Sequence, residues 1–155
     1  MAAEAPPERE PSNRGFWLVL VPIAVTGLVL VALVFAFRPY VRRNAASLVQ
    51  SNLRRSVAAA REIRSAEGSF EAARPFRMRD ALPDLLFIDP DEGSNDPGVV
   101  SVFASGDTWA GAARADTGRC FWIRTDGSGT TVLGTGTDCS GDEASTAAGT
   151  GWPDR

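Results

Sequence analysis

The chain has no histidine among its 155 residues. Histidine is the commonest general base at neutral pH and the commonest metal ligand, so Ser-His-Asp and Cys-His mechanisms are excluded, and a zinc site would need cysteine and carboxylate alone. Lysine is missing as well; all 16 basic residues are arginine, a bias that carries no functional content. There are two cysteines, Cys120 and Cys139. They do not form a C-x-x-C redox centre, and two alone do not complete a tetrahedral zinc site. The length leaves room for one small domain beside one long apolar run, and a large enzyme core does not fit. No catalytic residue, cofactor or metal ligand is assigned.

The apolar run is "GFWLVLVPIAVTGLVLVALVFAF", 23 uncharged residues from Gly15 to Phe37. At the helical rise it would extend roughly 34 Å, enough for a hydrocarbon core about 30 Å thick, so a transmembrane helix is expected over 15–37 behind a cytoplasmic leader, 1–14. It ends in "FAFRPY" rather than in a small-residue signal-peptidase site, and Trp17 and Tyr40 flank it as interfacial rings do. Beyond Pro39, Val41, Ala45, Leu48, Leu53, Val57, Ala60 and Ile63 recur at helical spacing with arginines between them, which predicts an amphipathic stalk helix over 38–68 stopped by Gly68.

Short β-type runs follow: "LLFI" (85–88), "VVSVFA" (99–104), "TWAGAA" (108–113), "CFWIRT" (120–125) and "TTVLGT" (130–135), separated by turn residues. Short connections imply antiparallel pairing. The expected fold class is therefore α+β, with the stalk helix packed on a small antiparallel head over 69–139 and a disordered tail over 140–155. Cys120 opens one strand and Cys139 follows the next, across the Asp126–Gly129 turn. The pair is read as a disulfide that staples the open end of this hairpin, and such a bond persists outside the cytoplasm. Arg38, Arg42 and Arg43 just after the span favour the opposite orientation by the positive-inside rule; the cysteines place the head outside.

"SNLRRSVAAAREIRSAEGSFEAA" (51–73) and "TGRCFWIRTDGSGTTVLGTGTDCSG" (117–141) are similar to the stalk end and the head end of type IV pilins and type II secretion pseudopilins, in particular those of actinobacterial type. The resemblance runs from about Arg14 to Gly141. It implies prepilin-type processing between Gly15 and Phe16, with Phe16 as the methylated first residue. The family's glutamate at the fifth mature position is replaced here by Leu20, and its usual proline is displaced to Pro22 or Pro39. A pilin-like structural subunit, such as a minor pilin or pseudopilin, is the function implied. The alternative is an uncleaved single-pass protein whose pilin-type head is an extracytoplasmic binding module. Partners expected are the membrane, other pilin-like subunits and their assembly machinery, with the protein in the bacterial cytoplasmic membrane or a surface filament; no nucleic acid is expected.

Three further features have two readings each. The acidic loop "DPDEGSND" (89–96) has oxygens that suit calcium but no EF-hand spacing, and reads as a solvated turn. Trp109 and Trp122 fit either a contact patch or the core, and alternation favours the core. Charge is segregated: residues 38–79 hold ten arginines against three glutamates, whereas 80–155 hold four against thirteen acids. That pattern fits differently signed solvated regions, or the packing of like subunits basic part to acidic part.

Overall fold

The computed structural model describes the backbone of residues 14–152 and the side chains of 26–33 and 46–152. The chain divides into two compact units, Met1–Pro39 and Tyr40–Arg155. Helix α1 runs Arg14–Glu67, and Gly68, at φ 79°, donates its N–H to Arg64 O as the chain leaves the helix. A left-handed residue there costs glycine little, because it carries no Cβ.

The transmembrane helix expected over 15–37 is not upheld. Among the described residues no helix is long and apolar enough to cross a membrane. Helix α1 continues from the apolar run through the arginine-bearing residues that follow it. Within the apolar run Leu28, Val29, Leu30, Val31 and Leu33 are exposed.

In the second unit, α1 buries Val49, Leu53, Val57 and Ala60, spaced four, four and three apart as one helical face requires. Leu48, expected in that stripe, instead points outward at 52% exposure, because the face turns through Val49. A 3-10 turn at Phe70–Ala72 and helix α2, Pro75–Ala81, follow. Pro75 starts α2, where its missing N–H is no loss, and α2 buries Met78.

The sheet holds β1 (Leu86–Ile88), β2 (Val99–Ser105), β3 (Thr108–Arg114), β4 (Cys120–Asp126) and β5 (Thr131–Gly136), side by side in chain order. It is mixed rather than wholly antiparallel as expected. β1 pairs parallel to β2, with Leu86 opposite Val99, and β2 to β5 form an antiparallel meander. The turn residues of 89–98 suggest a hairpin, yet this segment is long enough to travel back along the sheet, so β2 starts at the same end as β1.

Alternation along the central strands builds two cores. Trp109, Ala113, Phe121 and Ile123 pack with the buried face of α1, whereas Ala110, Ala112, Cys120 and Trp122 pack with Cys139 and Ala144. The second core exists because the tail, expected to be disordered, is built into the head over residues 140–152. Ser140 caps helix α3, Gly141–Thr146, by accepting from Glu143 N, and α3 lies on the sheet face away from α1. The head thus has three layers where two were expected.

Candidate functional site

Cys120 and Cys139 are disulfide-bonded, with Cα atoms 5.2 Å apart and both side chains buried. The bond joins the start of β4 to the segment between β5 and α3. Cys139 has φ 58°, unusual for a residue with a Cβ, and the surroundings over-determine it. Its N–H donates to Glu143 Oε2 at 3.0 Å, its carbonyl accepts from Ser94 N at 2.9 Å, and its sulfur is tied to β4.

Glu143 gathers this segment. Its carboxylate accepts from the N–H groups of Thr137 (2.9 Å), Asp138 (3.0 Å) and Cys139 (3.0 Å). Partial burial raises the pKa of the group, but the three backbone donors together outweigh it and hold the carboxyl below its ordinary value. Arg114 closes the other side: its guanidinium donates to the carbonyls of Ser94 (3.0 Å), Gly118 (3.0 Å) and Thr137 (3.1 Å). Arginine suits the task because a rigid fork of donors can serve several acceptors at once.

The acidic loop 89–96 is thereby drawn onto the disulfide. Ser94 is buried and donates its hydroxyl to Val99 O, and Asp142 N donates to Pro90 O. The Asp96 side chain accepts from Gly98 N. Among the described residues no group of three or more carboxylates or cysteines is placed to hold a metal ion. The loop's role in the fold is as a docked turn.

Both tryptophans are core. Trp109 is fully buried and donates to Ala73 O at 3.2 Å, while Trp122 lies on the opposite face against Gly134. A Cβ at Gly134 would come within 2.2 Å of the Trp122 ring, so the glycine is what lets the indole lie flat on β5. Gly15 and Phe16 fall at the start of α1; the Phe16 side chain lies outside the described residues, as does most of the expected leader.

Two features were missed in the sequence. The segment after α3 returns along β5, with the N–H groups of Thr150 and Gly151 both donating to Leu133 O. Trp152 then donates to Trp122 O at 3.0 Å, meets Phe121 edge to face at 6.4 Å, and carries Arg54 over its ring at 5.0 Å. Second, Arg61 reaches from α1 to Thr125, Gly129 O and Thr131, fixing the β4–β5 turn to the helix. The lone Trp152 in a polar tail was the available signal for the first; the second has no signature in sequence, since Arg61 looks like any exposed helix arginine.

The arrangement is cross-linked, with the Glu143 carboxylate and the Arg114 guanidinium each held by several backbone groups. Comparison with protein-family models, curated proteins and solved structures finds no match. The disulfide-pinned cluster of Arg114, Glu143, Cys120 and Cys139 ties the loop 89–96, the β3–β4 turn and the segment before α3 together.

Proposed function

We propose that this chain is a pilin-like structural subunit, of the minor pilin or pseudopilin kind, working on the outer side of the bacterial cytoplasmic membrane with like subunits and their assembly machinery as partners. The observation that carries the reading is the exposed apolar stretch of α1. Leu28, Val29, Leu30, Val31 and Leu33 are 47–74% exposed, and a helix that is apolar on every side needs a cover. The neighbouring helices of like subunits supply that cover when N-terminal helices pack side by side. A buried disulfide supports an oxidising compartment, because such bonds persist outside the reducing cytoplasm. The similarity of 51–73 and 117–141 to pilin-type stalk and head sequences points the same way.

Leu20 favours a second reading. Without a carboxylate at the fifth position after Gly15, docking under a neighbour's α-amino group lacks its ion pair, and an uncleaved extracytoplasmic binding module fits that departure. Intact mass and N-terminal sequencing of protein isolated from its own cells without reductant separate the two. A chain beginning at methylated Phe16 is expected for the subunit; a chain retaining residues 2–15 overturns processing and leaves the binding module.

A further inference from the structure

Among the described residues six polar ones are buried: Gln50, Asn52, Ser56, Ser94, Ser101 and Thr125. Five of them are hydrogen-bonded through their side chains. Asn52 donates to Pro97 O, Ser56 to Asn52 O, Ser94 to Val99 O and Ser101 to Asp89 O, while Thr125 accepts from Arg61. Gln50 is only 7% exposed, yet its carboxamide has no hydrogen bond among the described residues. Neither polar atom of that carboxamide is sealed from solvent, so the group opens onto a gap rather than into the core. Leaving a buried amide unbonded costs stability, and the partners of this one come from outside the chain.

Long side chains on a helix lean back over the preceding turn, so Gln50 reaches toward Ala46, four residues earlier on the same face. Ala46 lines a cleft of about 340 Å³ with Thr117 and Arg119 of the β3–β4 turn and Phe121 of β4. That turn is fixed by Ala115 N donating to Arg119 O, Gly118 N to Ala115 O, and Arg114 to Gly118 O. Arg119 is as exceptional as Gln50. Every other arginine with a described side chain is engaged: Arg55, Arg64, Arg74 and Arg77 with carboxylates, Arg61, Arg79, Arg114 and Arg124 with carbonyl oxygens, and Arg54 with the Trp152 ring. Arg119 is exposed and has no such contact among the described residues. Among those residues it is also the one charge lining the cleft, because Asp116 of the same turn lines a different groove, beside Leu48 and Asn52.

We propose that the cleft between Gln50 of α1 and Arg119 of the β3–β4 turn binds a carboxylate carried on an apolar body. The planar guanidinium of Arg119 matches a carboxylate in a two-pronged contact, and no neighbour in the cleft competes for it. The Gln50 carboxamide donates a further hydrogen bond, which satisfies the unbonded amide. Phe121 and Ala46 supply the apolar wall for the rest of the ligand, and the volume lies within the about 300–1,000 Å³ usual for small-ligand sites. The same cleft has no free carboxylate to hold a cation. Every group named belongs to the head, so the site does not depend on the filament reading.

The test is an amide NMR titration of the full-length oxidised chain, in a non-ionic detergent that covers the exposed apolar helix, with phenylacetate as the probe. It is carried to about 20 mM, well past the roughly 1 mM dissociation constant expected of a ligand with about ten non-hydrogen atoms. Saturable shifts are expected at the Gln50 side-chain amide and at the backbone amides of Thr117 to Phe121. Phenylacetamide, the same shape without the charge, and inorganic phosphate, a charge without the ring, should each bind at least tenfold more weakly. Arg119→Gln should weaken phenylacetate roughly tenfold, and because Arg119 is exposed and unbonded the variant should keep the wild-type melting temperature. Gln50→Leu, which keeps the buried stem, should weaken it severalfold. No saturation, shifts that fall elsewhere on the head, phenylacetamide or phosphate binding as tightly, or unchanged affinity in Arg119→Gln overturns the proposal. N-terminal processing at Gly15–Phe16 is read independently, so failure here leaves that question where it stands.

Discussion

At the residue scale, Glu143 shows how one side chain is assigned by its acceptors. Three backbone N–H groups converge on its carboxylate from a segment that contains Cys139 in a left-handed conformation. Its folded-state pKa is lowered from an ordinary 4.5 by those donors acting against partial burial. A depressed carboxyl contributes stability above the unfolded value, and that contribution is lost as pH falls through the folded value. The chain should therefore lose stability on acidification below about pH 4.5. Asp84, hydrogen-bonded by Arg55, and Asp126, hydrogen-bonded by Ser128, are also held below their ordinary range and contribute a background in that window. Glu143→Gln isolates the one term. Urea melts at pH 7 and near pH 3.5 should show the variant less stable by about 1–2 kcal/mol at the higher pH and the gap narrowing at the lower. A gap that does not change with pH would mean that the carboxylate's charge is immaterial to the cluster.

At the scale of elements, both open edges of the sheet are guarded, by different means. β1 is three residues long, and its outward carbonyl at Phe87 accepts from Arg79 of α2. β5 is covered by the returning segment 147–152, whose amides meet Leu133 O and whose Trp152 anchors on Phe121 and Trp122. An unguarded edge is a template for strand addition, so this strap has a task beyond its few contacts. Trp152→Ala should lower stability by about 1–3 kcal/mol, less than the loss of a fully buried tryptophan because the ring is half-buried. It should also speed hydrogen exchange in β5 more than in β2 and β3; uniform acceleration across the sheet would argue that the strap acts on global stability alone.

At the scale of the whole molecule, the disulfide is the long-range tie that the small second core depends on. It closes a separation of 19 residues between Cys120 and Cys139, for which the chain-entropy model gives about 3 kcal/mol. Replacing both cysteines with alanine should lower the melting temperature by roughly 10–20 °C, measured against the oxidised wild type. Strand positions, the cysteine pairing and the helix stop at Gly68 were legible beforehand, because each rests on local pattern: period-two alternation, hairpin spacing, a glycine after an amphipathic run. The parallel placement of β1, the outward turn of Leu48 and the ordered tail were not. The first depends on where loop 89–98 docks, and it docks on Cys139 and α3, which no local rule supplies. The second is a rotation of the helix by one residue, within the tolerance of a seven-point stripe. The third depends on a sheet face whose apolar residues, Ala110, Ala112 and Trp122, need a cover that polar composition does not advertise. Sequence alone determined the chemistry this protein lacks, since no fold can supply a missing histidine. Tertiary structure decided which charges are paired within the head, Arg55 with Asp84 and Arg61 with the β4–β5 turn among them, because pairing is a matter of distance in space and sequence records only distance along the chain.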